Sequence, residues 1–299
     1  GRNGGRTDMT AITPDKRRGL FRRKLADRIV GVLSVAALVL ALAGMVWILW
    51  TVFSRGASVL SWSFLTEPSK PYGALNGGIG NAILGTLAIT FGAAVMGIPP
   101  ALLAGIYLAE FGRGTRLGGA IRFAANVMMG MPSVVVGLFV YAVLVIPMRG
   151  FSGIAGSAAL AILMFPVVLR TTEDMLLMVP DSLRESALAL GCSRARTAVR
   201  IVCRSARGGL VTGILLAVAR VSGETAPLLF TALWSDAWPK SYFNGPTANL
   251  PVLITEYATN SPFEEQHAAG WGAALVVTLM VLLLNISTRI IFKEKHNGR

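Results

Sequence analysis

Between residues 29 and 53 the chain carries no charged side chain, and five further, predominantly apolar runs follow at 79–108, 123–147, 153–179, 208–233 and 268–292. About 20 apolar residues in a helix suffice to cross the hydrocarbon of a bilayer. Each run is long enough, so the fold class is all-α and polytopic, with six transmembrane helices. The helices of such a bundle share one core. The organisation that follows is a basic tail, 1–28, and one transmembrane domain, 29–299. The first run is too long for the core of a signal peptide and has no small-residue cleavage site, so it is read as a retained span.

Composition agrees. Of the 299 residues, 54% are hydrophobic and 14% charged, against roughly 25% charged in soluble domains. The net charge of +13 is explained by where the cations lie, and nucleic acid is not an expected partner. Six spans put both ends of the chain on one side. That side holds nine Lys/Arg in the tail, three in 109–122, six in 180–207 and four from Arg289 onward. The opposite side holds four: Arg55, Lys70, Arg149 and Lys240. The positive-inside bias makes the termini and the 180–207 segment cytoplasmic. Trp47 and Trp50 fall at the far end of the first run, as interfacial anchors do.

Two features depart from plain apolar spans. The first is ionisable groups inside them. Arg170 and Glu173 are three residues apart, and Arg220 and Glu224 four apart, so each pair is expected on one helix face. Charges at bilayer depth are costly and must face protein or water. One reading is helix-locking ion pairs. The other is a polar pathway, in which two arginines favour an oxyanion through their bidentate forks. Prolines form the second departure. Pro99 and Pro100 together are expected to kink or break their helix, and Pro132 and Pro166 sit in later spans. Small residues at Gly85, Gly92, Gly97, Gly153, Ala155, Gly156 and Ala159 predict close helix contacts.

The water-facing segment, 180–207, has its own pattern. Ser182 and Glu185 fit a capping box after Pro180 and Asp181. Leu183, Ala187 and Leu190 form an apolar stripe, and Gly191 ends the helix. Arg196, Arg200, Arg204 and Arg207 follow as a basic face. Such a segment lies on an anionic leaflet or docks a soluble subunit. Its two cysteines, Cys192 and Cys203, are read as reduced thiols on the cytosolic side.

Enzymatic signals are missing. The sequence has no Gly-Lys dipeptide, hence no phosphate cradle for ATP. His267 and His296 do not combine with the cysteines at any metal-ligand spacing. No catalytic residue, metal site or cofactor is expected in this chain.

The segment Glu185, Ser186, Ala187 and Gly191 resembles the EAA loop of bacterial ABC-importer permeases, with Ser186 in place of the usual alanine. The motifs AGIYLAE at 104–110, PSVVVGLFVY at 132–141, RTTEDM at 170–175, VPDSLRESA at 179–187, ARVSGETAPLLFTA at 219–232 and ANLP at 248–251 closely resemble the PstA-type permease family of the phosphate-specific ABC importers. The resemblance runs from about residue 30 to the last span. It implies a type I importer permease in the bacterial cytoplasmic membrane, with 180–207 as the coupling-helix segment. Its implied partners are a homologous PstC-like permease, two copies of a PstB-like ATPase subunit that hold ATP and Mg, a PstS-like extracytoplasmic phosphate-binding protein, and membrane lipid. The implied substrate is inorganic phosphate. Arg170, Arg220, Glu224 and Glu173 would then line its path, Glu185, Ser186, Ala187 and Gly191 would couple to the ATPase, and loops 54–78 and 234–267 would receive the binding protein. Rival readings are a permease for sulfate or molybdate, a stand-alone secondary anion transporter, which would need inverted repeats that are not evident, and a membrane scaffold.

Overall fold

The computed structural model describes residues 14–71, 77–239 and 241–291. Most of the basic tail's first half, Gly73, Lys240, Lys293, Lys295, His296 and Arg299 lie outside the described residues. In order, the helices are α1 (Pro14–Ala57), α2 (Trp62–Thr66), α3 (Gly80–Glu110), α4 (Arg116–Gly130), α5 (Ser133–Met148), α6 (Gly153–Leu177), α7 (Asp181–Ala189), α8 (Arg194–Ser205), α9 (Arg207–Val221), α10 (Ala226–Thr231), α11 (Leu250–Thr259) and α12 (Glu264–Ile291). The described residues contain no strand. Single π-type turns interrupt α5 at Tyr141–Val145 and α8 at Thr197–Val202.

Two compact units are distinguished, residues 1–51 and 52–299. The first consists, where described, of α1 up to Thr51, and its apolar side chains are bare, Trp47 at 76% and Trp50 at 68% exposure. The basic residues from Lys16 to Arg28 lie on this helix, so the second half of the tail is a continuation of the first span. The second unit holds everything else.

Among the described residues, four helices are long and apolar enough to cross a membrane: Ala26–Ala57, Gly80–Glu110, Gly153–Leu177 and Glu264–Ser287. The number rises to six where each of two bent helix pairs is counted as one span. In one of these, 123–147 is not the one continuous helix that its apolar run suggests. α4 and α5 meet there at 103° across Met131 and Pro132. Proline forces the preceding residue out of the helical region, and Met131 is extended, with φ −74° and ψ 137°. The run 208–233 is also divided. α9 ends at Val221, and α10 restarts at Ala226 with Pro227 in its first turn. Pro99 and Pro100, in contrast, sit inside an unbroken α3.

The core is built on α3 and α6, which run parallel. Gly97 of α3 abuts Ala161, and Gly105 abuts Leu169 and Thr172, all of α6. A β-carbon on Gly105 would stand 2.6 Å from that of Thr172, so only glycine permits this spacing. Ile89, Leu160, Met164, Val168 and Leu169 are 1% exposed or less around this seam. α9 packs antiparallel on α6. Gly213 faces Thr171 and Gly209 faces Met175, while at the other end the amide of Ser152 donates to the carbonyl of Thr231 (3.0 Å).

Beyond the far ends of these helices, two loops are sewn together by polar side chains. Asn81, fully buried, accepts from the amide of Ser69 (3.0 Å) and donates to the carbonyl of Ser235 (3.1 Å). The amide of Leu250 donates to the Thr86 hydroxyl (2.8 Å). Tyr242 reaches the gap left by Gly92 and bonds Ser157, whose hydroxyl donates to the carbonyl of Ile89 (2.7 Å).

Candidate translocation and coupling site

Glu173 is the most enclosed of the charged residues named from the sequence. It projects from the last turns of α6 with 2% exposure. Its carboxylate accepts from Nη1 of Arg170 (2.8 Å) and from Nε of Arg122 (2.6 Å). Arg122 also donates to the carbonyl of Leu108 near the end of α3 (3.0 Å). One buried carboxylate thus joins α4 and α6 and carries two guanidiniums, a net positive cluster. Arg170 and Glu173 do share a face, as their spacing requires. By sequence Arg122 falls in the connection 109–122, outside the apolar runs. It enters the site because α4 starts at Arg116, earlier than the apolar run suggests.

Arg220 and Glu224 do not behave as a pair. α9 ends at Val221, and the chain turns so that the amide of Glu224 bonds the carbonyl of Val221 (3.1 Å). The four-residue spacing therefore no longer places them on one helix face, and no ion pair within 4.0 Å reaches either side chain among the described residues. Arg220 is exposed, in a stripe of exposed positions with Thr212, Leu216 and Gly223. The register of α9 against α6 fixes its height. Continuing from Gly213/Thr171 by seven residues, about 10 Å at 1.5 Å per residue, brings Arg220 level with Met164, halfway along α6. Arg170 lies six residues further, about 9 Å nearer the end that leads into α7.

α7 begins at Asp181, capped by Pro180 with no side-chain cap. This replaces the expected capping box. Ser182 is already helical and its carbonyl accepts from the Ser186 hydroxyl (2.8 Å). Of the expected apolar stripe only Ala187 is buried, at 4%. Leu183 is 38% and Leu190 86% exposed. Glu185, Ser186 and Gly191 are exposed, and Gly191 turns the chain in the left-handed region at φ 80°. The result is a short helix whose outer face and blunt end offer a carboxylate and a bare leucine.

The sequence reading overlooked the residue that holds α7 in place. Arg184, on the inner side of α7, is 12% exposed. It donates to both oxygens of Glu110 at the end of α3 (2.9 to 3.4 Å). It also donates to the carbonyls of Leu176 (2.7 Å) and Val179 (2.5 Å), and to Asp181 (2.9 Å). Asp181 in turn lies 3.7 Å from Arg113. A single guanidinium therefore ties the water-facing helix to α3 and α6. Glu110 and Arg184 both lie in quoted motifs, but nothing in their spacing shows that they meet.

Both cysteines are free thiols. Burial, and secondarily the charge of Glu110, push the Cys203 thiol above its usual value. Among the described residues no cluster of His, Cys, Asp and Glu is placed to hold a metal.

Residues 101–294 match the family profile of the binding-protein-dependent transport system inner membrane component. The chain is 45% identical over 292 residues to the phosphate transport system permease protein PstA of Yersinia pestis, covering 97% of this chain and 98% of that protein. It is 37% identical over 275 residues to the probable phosphate transport system permease protein PstA of Methanocaldococcus jannaschii, covering 91% and 95%. The fold resembles a chain of the MetNI methionine ABC transporter, with a TM-score of 0.61, 17% identity, and coverage of 72% of this chain and 94% of that one. An all-helical bundle with α7 tied to its core, matched over most of its length by these relatives, belongs to the family of binding-protein-dependent transport system inner membrane components.

Proposed function

We propose that this chain is the membrane-spanning permease subunit that conducts inorganic phosphate in an ATP-driven importer. The observation that carries the reading is the 45% identity, across 97% of the chain, to a phosphate transport system permease. It holds no ATP site of its own. A separate ATPase subunit binds ATP and Mg, a second homologous permease supplies the other wall, and an extracytoplasmic binding protein delivers phosphate to the loops that Asn81 joins. Both termini and α7 face the cytoplasm, in keeping with the distribution of Lys/Arg.

The geometry supports a path along the exposed stripe of α9. A guanidinium halfway along a span is costly against hydrocarbon, so the stripe faces the second permease and water between them. Arg220 offers its fork to a tetrahedral oxyanion there. Arg170 forms a second station about 9 Å nearer the cytoplasm, its charge moderated by Glu173, which limits how tightly phosphate is held. Glu224, at the turn just beyond α9, lies on the same path a short way outward of Arg220. Glu185, Ser186, Ala187 and Gly191 shape the surface that meets the ATPase, and Arg184 carries its motion to α3 and α6.

The test is phosphate uptake into proteoliposomes holding both permeases, the ATPase and the binding protein. Arg220→Gln is expected to abolish uptake while the subunits still assemble; unchanged uptake makes Arg220 a structural residue. Unlabelled sulfate or molybdate that competes as well as phosphate would overturn the substrate assignment.

A further inference from the structure

α8 and α9 meet at 75° around Ala206. α9 is the apolar limb, so α8 runs nearer the plane of the membrane that α9 crosses. The inner side of α8 is packed, with Ala198 at 1% and Val202 at 0% exposure. Its outer side carries Arg200 and Arg204 together with Val199, which is 61% exposed. Basic side chains beside a bare valine suit the boundary between headgroups and acyl chains, not open water.

Arg200, Arg204 and Arg207, with Ile201 and Ser205, line one shallow, widely open concavity in this elbow. The ion pairs of the cytoplasmic-end helices are made by Arg113, Arg122, Arg170 and Arg184. The three elbow arginines have no such partner, and no side-chain hydrogen bond joins them to a described residue. Three like charges converge on one hollow, and their mutual repulsion is relieved by an anion. The docking surface of α7 precedes the turn at Gly191, on another helix.

The geometry points to a binding site for the phosphodiester headgroup of an anionic phospholipid in the elbow between α8 and α9. Guanidinium forks match the two free oxygens of a phosphodiester. Ile201, which lines the hollow, and the bare Val199 on the same helix favour a ligand with an acyl part over a free phosphate ion. A basic hollow at the end of a span is also where lipid headgroups collect. Bound lipid would hold the elbow at its angle and fix the height of α9, which carries Arg220. The site itself stands without the transport reading.

The full chain is reconstituted in vesicles of phosphatidylcholine alone, or with about one quarter phosphatidylglycerol. Arginine modification by phenylglyoxal is then followed residue by residue by mass spectrometry. Arg200, Arg204 and Arg207 are expected to react several-fold more slowly with phosphatidylglycerol present, and Arg194 and Arg196 at unchanged rates. Equal rates in both vesicles overturn the site, as does equal protection of Arg194 and Arg196. Protection by millimolar inorganic phosphate in phosphatidylcholine alone makes it a free-anion site and overturns the lipid assignment. Protection by added ATPase subunit but not by phosphatidylglycerol assigns the face to a protein. In native mass spectrometry, R200Q/R204Q/R207Q is expected to bind phosphatidylglycerol roughly fivefold more weakly per arginine removed than R194Q/R196Q. Equal binding by the two variants is a second refutation.

Discussion

Arg184 and Glu110 illustrate how much one ion pair can organise. Both are nearly enclosed, at 12% and 10% side-chain exposure. Removing one partner of a buried pair leaves the other charge uncompensated, at a cost of about 3–5 kcal/mol. Glu110→Gln is therefore expected to lower stability by roughly 3 kcal/mol, read as a fall in the unfolding midpoint of the purified protein; a loss under about 0.5 kcal/mol, the level of an ordinary surface change, would contradict the enclosure. Arg184→Lys keeps the charge but loses the fork that reaches Glu110 and two carbonyls at once, and is expected to weaken coupling of ATP hydrolysis to uptake more than assembly. Cys203 gives a pH test of the same corner. Its thiol is held above the usual cysteine value by burial and then by Glu110. A raised value means less thiolate at any given alkalinity, so in a Cys192→Ser background Cys203 should alkylate more slowly than free cysteine at about pH 8. A rate equal to free cysteine would count against that environment. Single residues were the least legible level. Glu173 was found because a carboxylate in an apolar run is anomalous. Its partner Arg122 was not, because 51 residues separate them and only the fold brings them together.

At the level of helices, apolar length located the spans, and small residues located the seams. What length cannot show is direction. Pro132 turns the third run through 103°, whereas Pro99 and Pro100 leave α3 unbroken. The difference lies in what surrounds them. α3 is clamped along α6 through Gly97 and Gly105 on either side of its prolines, so packing outweighs the lost hydrogen bonds. Pro132 follows Gly130, a poor helix former with nothing within 4 Å of where its β-carbon would stand. Arg220 and Glu224 were misjudged for a similar reason, since helical spacing was assumed through the Ser222–Gly223 turn. The α3–α6 seam gives a paired prediction. Gly105→Val drives a side chain into Thr172 and the Leu169 carbonyl and is expected to cost at least about 1–3 kcal/mol. Gly119→Ala on α4, where nothing lies within 4 Å, is expected to leave stability unchanged or raise it slightly through helix propensity. Thermal unfolding of the two purified variants checks both; equal stability would mean that the seam is not close-packed.

For the whole molecule, the central fact is a charge that the chain does not cover itself. Glu173, Arg122, Arg170, Glu110 and Arg184 are all answered within the fold. Arg220 is not, and it stands level with Met164, in the middle of the core helix. Exposed apolar side chains are ordinary on a membrane protein, because lipid covers them. A bare guanidinium at mid-span is different, since hydrocarbon offers it no hydrogen-bond partner. Its neighbours along the stripe, Thr212 and Leu216, must then share whatever surface answers Arg220. Under the proposed function that surface is a second permease chain with water between, and the prediction is direct. A photo-crosslinking amino acid in place of Leu216, 60% exposed on this stripe, is expected to label the homologous permease in assembled membranes. Denaturing electrophoresis reads the outcome as a joined pair of permeases. Labelling confined to lipid would place the stripe against hydrocarbon, leave Arg220 in an untenable position at the proposed depth, and require the path to run along another face.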